Sequence, residues 1–179
     1  MIVRLIQGIE ALSVFIGWIG AWVMAPLIAS MVYEVLARHL FNAPTFWAYE
    51  IGYMLAGTCY LFGMAYCMKQ KGHVRVDFLY DQVGPKWRAI IDILGYTFLL
   101  LPGALWITWG LYEFAVEAYE SGEVSGESAW NPVVWPFRTV WVIAFVALVL
   151  QTIAEILKSV RVLFGYAEEE FVEHHGSEV

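Results

Sequence analysis

Four long stretches of this chain are almost free of charge, and they decide what it can fold into. Residues 11–33 and 93–112 carry no charged side chain, residues 46–68 carry only Glu50, and residues 133–154 carry only Arg138. A hydrocarbon layer about 30 Å thick is crossed by about 20 helical residues. A membrane strand would need about ten residues in strict alternation, and no such alternation is present. The expected fold is therefore all-α and integral to a membrane. Four spans are placed at about 11–34, 46–68, 89–112 and 133–157 on that length criterion.

Composition removes the competing classes. The chain is 60% hydrophobic and 15% charged, whereas soluble domains carry about a quarter charged residues. Only one modest core is available at this length to hide the surplus, which excludes an ordinary soluble enzyme. Ten Lys and Arg stand against seventeen Asp and Glu, so nucleic acid is not a partner. The first apolar stretch exceeds the roughly 7–15 residues of a signal h-region, and Arg4 is the one basic residue ahead of it, so it reads as a retained span.

Orientation follows from the basic residues, which are held on the cytoplasmic side. Arg4, Lys69, Lys71, Arg75, Lys86, Arg88, Lys158 and Arg161 all fall at one end of the expected spans. Arg38 stands alone in the first loop. Both termini and the middle loop are thus expected in the cytoplasm. The third loop, with Glu113, Glu117, Glu120, Glu123 and Glu127 among Gly and Ser, is expected to be solvated and mobile. It reads either as an acidic connector or as a docking surface for a soluble extracytoplasmic partner.

Within the spans, Gly17, Ala21, Ala25 and Ala29 recur every four residues, a small-residue stripe that suits close helix approach. Pro26 and Pro102 fall inside the first and third spans, where either can kink its helix. Glu50 and Arg138 lie near the outer ends of their spans, and Arg38 ends the first. An ionised group in the membrane needs a partner or an interface, so a Glu50–Arg38 or Glu50–Arg138 ion pair is expected, unless Glu50 simply favours its helix N-terminus. Cys59 and Cys67 are too far apart along one helix to form a disulfide and read as small buried hydrophobes.

The loop after the second span holds Gly72, His73, Arg75 and Asp77. Val76, Leu79, Tyr80 and Val83 follow at helical spacing, so residues 74–83 are expected to lie flat on the membrane surface as a short amphipathic helix. His73 has no second ligand at metal spacing, and no metal site is assigned. Residues 164–179 form an acidic tail that is expected to be disordered.

Ala37-Arg38-His39-Leu40-Phe41-Asn42, then Trp47 with Glu50, and above all Gly72-His73-Val74-Arg75-Val76-Asp77 carry a family resemblance. The chain resembles the DctQ-type small permease subunit of tripartite ATP-independent periplasmic (TRAP) transporters over about residues 6–162. Ile91-Asp92-Ile93-Leu94-Gly95, Gly122-Glu123, Leu150-Gln151 and Ala154-Glu155 look like the subgroup labelled for mannitol or chloroaromatic compounds, although organic acids fit that subgroup equally.

The resemblance implies three partners: a large TRAP permease subunit, a periplasmic substrate-binding protein and membrane lipid. It implies sodium-coupled import across a bacterial or archaeal inner membrane. Substrate and sodium sites would belong to the large subunit, with this chain as its scaffold. No cofactor and no catalytic, cofactor-binding or metal residue is therefore expected here. The residues expected in assembly are Gly17, Ala21, Ala25, Ala29, Arg38, Trp47, Glu50 and Arg138, with Gly72, His73, Arg75 and Asp77 as the motif of the cytoplasmic loop.

Other classes fit less well. A four-helix haem protein needs axial His ligands inside the bundle, and no expected span contains His. A thiol–quinone oxidoreductase needs a reactive Cys pair at the outer face, where neither Cys lies. A stand-alone membrane assembly or sensor protein could use the same packing faces without a large permease.

Overall fold

The computed structural model describes residues 2–70 and 84–165. The motif residues Gly72, His73, Arg75 and Asp77, the expected interfacial segment 74–83, and all but the first two residues of the expected tail lie outside the described residues.

The described chain is helical in four long passes. Helix α1 covers Ile2–Leu40 and α2 covers Ala48–Lys69. The third pass is built from α3 (Pro85–Gly95), a wide π turn (Tyr96–Leu100) and α4 (Leu101–Ser121). Helix α5 covers Trp135–Leu163. All four passes are long and apolar enough to cross a membrane, and no strand longer than a single bridge is present among the described residues. The chain is an all-α, multi-pass membrane protein.

Pro26 lies within an uninterrupted α1. In the third pass, Pro102 stands two residues beyond the last residue of the π turn. Proline has no N–H to close the i→i−4 bond, and a π turn is one way a helix absorbs such a gap.

Neighbouring passes run in opposite directions. Gly17 meets Tyr66 and Gly20 meets Phe62, so α1 and α2 are antiparallel. Glu10 pairs with Lys158 and Ser13 with Gln151, which makes α1 antiparallel to α5. Helix α5 touches every other pass, whereas the third pass rests chiefly on α5. The core lies where three helices meet: Ile16 of α1, Phe62 and Ala65 of α2, and Ala144 and Ala147 of α5. One end of the assembly carries Arg4, Lys69, Lys86, Arg88, Lys158 and Arg161, and is called here the basic end. The other carries Arg38 and Arg138 among seven Glu residues, and is called the acidic end.

The inward face of α1 follows a heptad. Ile6, Ser13 and Gly20 form one row, and Ile16, Ser30 and Ala37 fall on the second. A seven-residue step drifts by only about 20° around a helix. The expected stripe steps by four, which drifts about 40° each time, and so it winds off the contact face. Gly17 remains inside, where a methyl group would stand 2.7 Å from Tyr66 Cβ. Ala21, Ala25 and Ala29 are exposed on the outside of the chain.

The acidic connection differs from the expected mobile loop. Helix α4 continues to Ser121 and carries Glu113, Glu117 and Glu120 on its exposed surface. Their spacing of three and four suits one solvated side of a helix. The helix ends at Gly122, which takes φ +64°, the left-handed conformation that glycine adopts without a Cβ penalty. Beyond it, Val124 and Val133 form an antiparallel bridge. Ser125 N–H donates to Pro132 O at 2.9 Å, and Val134 N–H to Glu123 O at 3.1 Å.

Candidate functional site

Polar side chains concentrate at two levels of the structure. Towards the basic end, a chain of hydrogen bonds ties α1 to α5. Ser13 Oγ donates to Gln151 Oε1 at 2.7 Å, and Gln151 Nε2 donates to Glu155 Oε1 at 2.9 Å. Lys158 Nζ donates to the same Glu155 oxygen at 2.6 Å and reaches Glu10 at 2.5 Å. Ser13, Gln151 and Glu155 are buried. Thr152, also buried, donates to Leu148 O at 2.8 Å and lies 3.6 Å from Met68 Sδ of α2. Apolar contacts between membrane helices slide easily because lipid offers similar contacts, so hydrogen bonds of this kind select one rotation and one depth.

Sequence reasoning places Glu155 beside Lys158, as the structure has them, but missed the link through Gln151 to Ser13, although its signal was there. Gln151 and Glu155 stand four residues apart on an otherwise apolar helix, and so share a face.

At the acidic end, Arg138 holds the α4–α5 connection. Its guanidinium gives Glu123 two hydrogen bonds, Nη1 to Oε2 at 2.7 Å and Nη2 to Oε1 at 2.5 Å. Nη1 also reaches Phe114 O at 3.2 Å, and the guanidinium carbon stands 3.4 Å above the Phe114 ring centre. This forked geometry is what arginine provides and lysine does not. Arg38, by contrast, pairs on its own helix, with Glu34 at 2.5 Å. The second oxygen of Glu34 accepts from the Thr45 N–H at 2.9 Å and from the Thr45 hydroxyl, pinning the α1–α2 connection back onto α1. Trp47 stacks on Tyr33 with ring centres 5.6 Å apart and stands at the N-cap of α2.

The expected Glu50 ion pair does not form with either arginine. Arg38 has a carboxylate one turn away on its own helix, and Arg138 reaches across to the connection rather than to α2. Glu50 is fully buried, and neither of its oxygens has a hydrogen-bond partner among the described residues. It shares one face of α2 with Gly57 and Met68, which meet Phe137 and Thr152 of α5. Cys59 and Cys67 are free and half-buried.

Between α2, α4, α5 and the connection lies an open cavity of about 360 Å³. Its wall is aromatic, from Tyr49, Tyr53, Phe114, Phe137 and Trp141, with Val134 at the side. Glu123, Ser125, Glu127 and Arg138 supply the polar lining. The rings are packed together: Tyr53 meets Phe137 edge-on at 5.9 Å, and Phe137 meets Trp141 at 5.2 Å. Among the described residues, no group of three or more His, Cys, Asp or Glu is placed to hold a metal ion.

The family model described as Tripartite ATP-independent periplasmic transporters, DctQ component, matches residues 27–162. The match reaches from the last third of α1 into the final turn of α5, and so includes the Arg138 clamp and the Glu34 pin. No curated protein matches the chain.

Proposed function

Because this chain belongs to the DctQ family of tripartite ATP-independent periplasmic transporter components, we propose that it acts as a scaffold in the membrane for a large permease subunit. It is a transporter component and not an enzyme. In the proposed complex, the large subunit carries an organic acid or related solute with sodium ions, and a periplasmic substrate-binding protein delivers that solute. The complex sits in a bacterial or archaeal inner membrane. The basic end faces the cytoplasm, in keeping with retention of Lys and Arg on that side.

One observation carries the scaffold reading. The helices of this chain are tied to one another by polar side chains at both levels, the Ser13–Gln151–Glu155–Lys158–Glu10 strap, buried at Ser13, Gln151 and Glu155, and the Arg138–Glu123 clamp, buried at Arg138. A body with such ties resists internal sliding and suits the fixed side of a transporter. Its exposed surfaces, including Ala21, Ala25 and Ala29 and most of the third pass, are available to a partner or to lipid.

The test is a pull-down of the tagged chain from its native membrane in mild detergent. Recovery of a large polytopic permease in fixed stoichiometry is the expected result. Recovery of the chain alone, stable and monodisperse, would overturn the proposal and favour a stand-alone assembly or sensor protein.

A further inference from the structure

The cavity at the acidic end combines aromatic walls with one carboxylate more than it has cations, Glu123 and Glu127 against Arg138. Seven Glu residues lie at that end against two Arg residues, and both arginines are already engaged. Arg38 is held by Glu34. Arg138 gives both terminal nitrogens to Glu123 and lays its guanidinium on Phe114. An anion entering the cavity would therefore have to displace Glu123 from its forked pair. The carboxylate of Glu127, on the cavity wall, has no hydrogen-bond partner among the described residues. Glu50 lies within the α2 turn between the lining residues Tyr49 and Tyr53, buried and equally without a partner. Glu50 is not part of the lining, so Glu127 is the carboxylate left on the cavity wall with no arginine among the described residues to meet it.

The type of cation follows from the remaining walls. Calcium takes six to eight oxygen ligands, and the described residues offer no metal-binding cluster. The volume of about 360 Å³ is far larger than a bare ion needs and falls within the range of small-molecule pockets, about 300–1,000 Å³. Aromatic faces with an adjoining carboxylate attract organic ammonium groups through the ring quadrupole. We propose that this cavity binds an organic ammonium group, supplied by an aminophospholipid head at the membrane interface or by a free amine. Tyr49, Tyr53 and Trp141 form the wall that receives the cationic head, and Glu127 supplies the countercharge. Its lining residues Tyr49, Phe114 and Val134 stand at the ends of the apolar stretches 46–68, 93–112 and 133–154, the level at which lipid heads meet a spanning helix.

The full-length chain, purified in detergent, is presented with dioleoyl-phosphatidylethanolamine or dioleoyl-phosphatidylglycerol, and the lipid retained is counted by native mass spectrometry. Free ethanolamine is titrated separately by calorimetry. Glu127 is exposed, so Glu127→Gln should leave the fold intact. Glu117→Gln, an exposed residue of α4 outside the cavity lining, serves as the control, and Tyr53→Leu is compared with Tyr53→Phe.

Retention of phosphatidylethanolamine over phosphatidylglycerol is expected. Loss of one such contact corresponds to about two- to five-fold in affinity, so Glu127→Gln and Tyr53→Leu should each lower retention by that factor. Glu117→Gln and Tyr53→Phe should not. Equal retention of both lipids, with saturable ethanolamine binding that Glu127→Gln weakens, would support the site and identify a free amine as its occupant. Absence of both effects, or equal effects of Glu127→Gln and Glu117→Gln, would overturn the proposal.

Discussion

Arg138 and Glu123, one turn into α5 and one residue beyond the glycine that ends α4, meet through two parallel hydrogen bonds of 2.5 and 2.7 Å. The arginine is buried, and the glutamate is about half exposed, with 44% of its side chain accessible. The pair therefore couples the ends of two membrane helices through a connection that would otherwise be free to move.

Breaking the clamp should loosen the third pass from α5. Arg138→Gln leaves Glu123, Phe114 O and the Phe114 ring without their partner, and a lost charged hydrogen bond costs about 1.5–3 kcal/mol. Arg138→Lys should recover less than half of that, because a lysine cannot make the forked pair. Unfolding in mixed micelles with rising dodecyl sulfate measures both, and a lysine variant as stable as the parent would refute the bidentate role.

The two kinds of position in the α1 stripe should separate experimentally. Gly17→Leu drives a side chain against Tyr66, where even a methyl group would stand 2.7 Å from Cβ, and overpacking of this kind costs about 1–3 kcal/mol. Ala25→Leu, on the exposed side, should change the stability of the isolated chain by less than about 0.5 kcal/mol. If Ala25→Leu nevertheless abolishes recovery of a large permease in the pull-down, that side of α1 is a contact with it.

The strap at the basic end should behave as a coupled unit. Removing Gln151 takes away the acceptor of Ser13 and a donor to Glu155 at once. A cycle of Ser13→Ala and Gln151→Leu should give a coupling energy of about 0.6 kcal/mol, and at most about 1.7, as for other hydrogen bonds between membrane helices. A coupling of zero would show that the two side chains do not depend on each other.

Gly122 should tolerate few replacements. Its φ of +64° places a side chain in the left-handed region, which costs about 1–2 kcal/mol for most residues. Gly122→Val should therefore destabilise more than Gly122→Asn, since asparagine enters that region more readily. Equal unfolding midpoints for the two variants would count against a strained helix end.

Part of the architecture could be read directly from the residue order. Transfer of a side chain from water to lipid is nearly a sum over residues, so four apolar stretches announce four passes without reference to one another. The same holds for the family motif, whose residues lie close together in the chain. Glu123 was legible as acidic but not as a clamp, because Arg138 lies fifteen residues further on and in the next helix. Nothing local distinguishes its partner from Glu50, which shares the same end of the molecule.

The rotation of each helix was the quantity that local pattern did not supply. A four-residue repeat of small side chains and a seven-residue repeat of mixed ones both run along α1. Only packing of Gly20 against Phe62 and of Ser13 against Gln151 selects the second as the inward face. The sequence by itself determined how many passes there are and which ends are charged, since those depend on the free energy of each segment in lipid; the helices run beyond the apolar stretches, α1 to 39 residues and the third pass to 36. Which residues face each other, which arginine meets which carboxylate and where a cavity remains were decided by the tertiary structure. Those depend on the relative tilt and rotation of helices that contact one another across a hundred or more residues of chain, as Ser13 and Gln151 do.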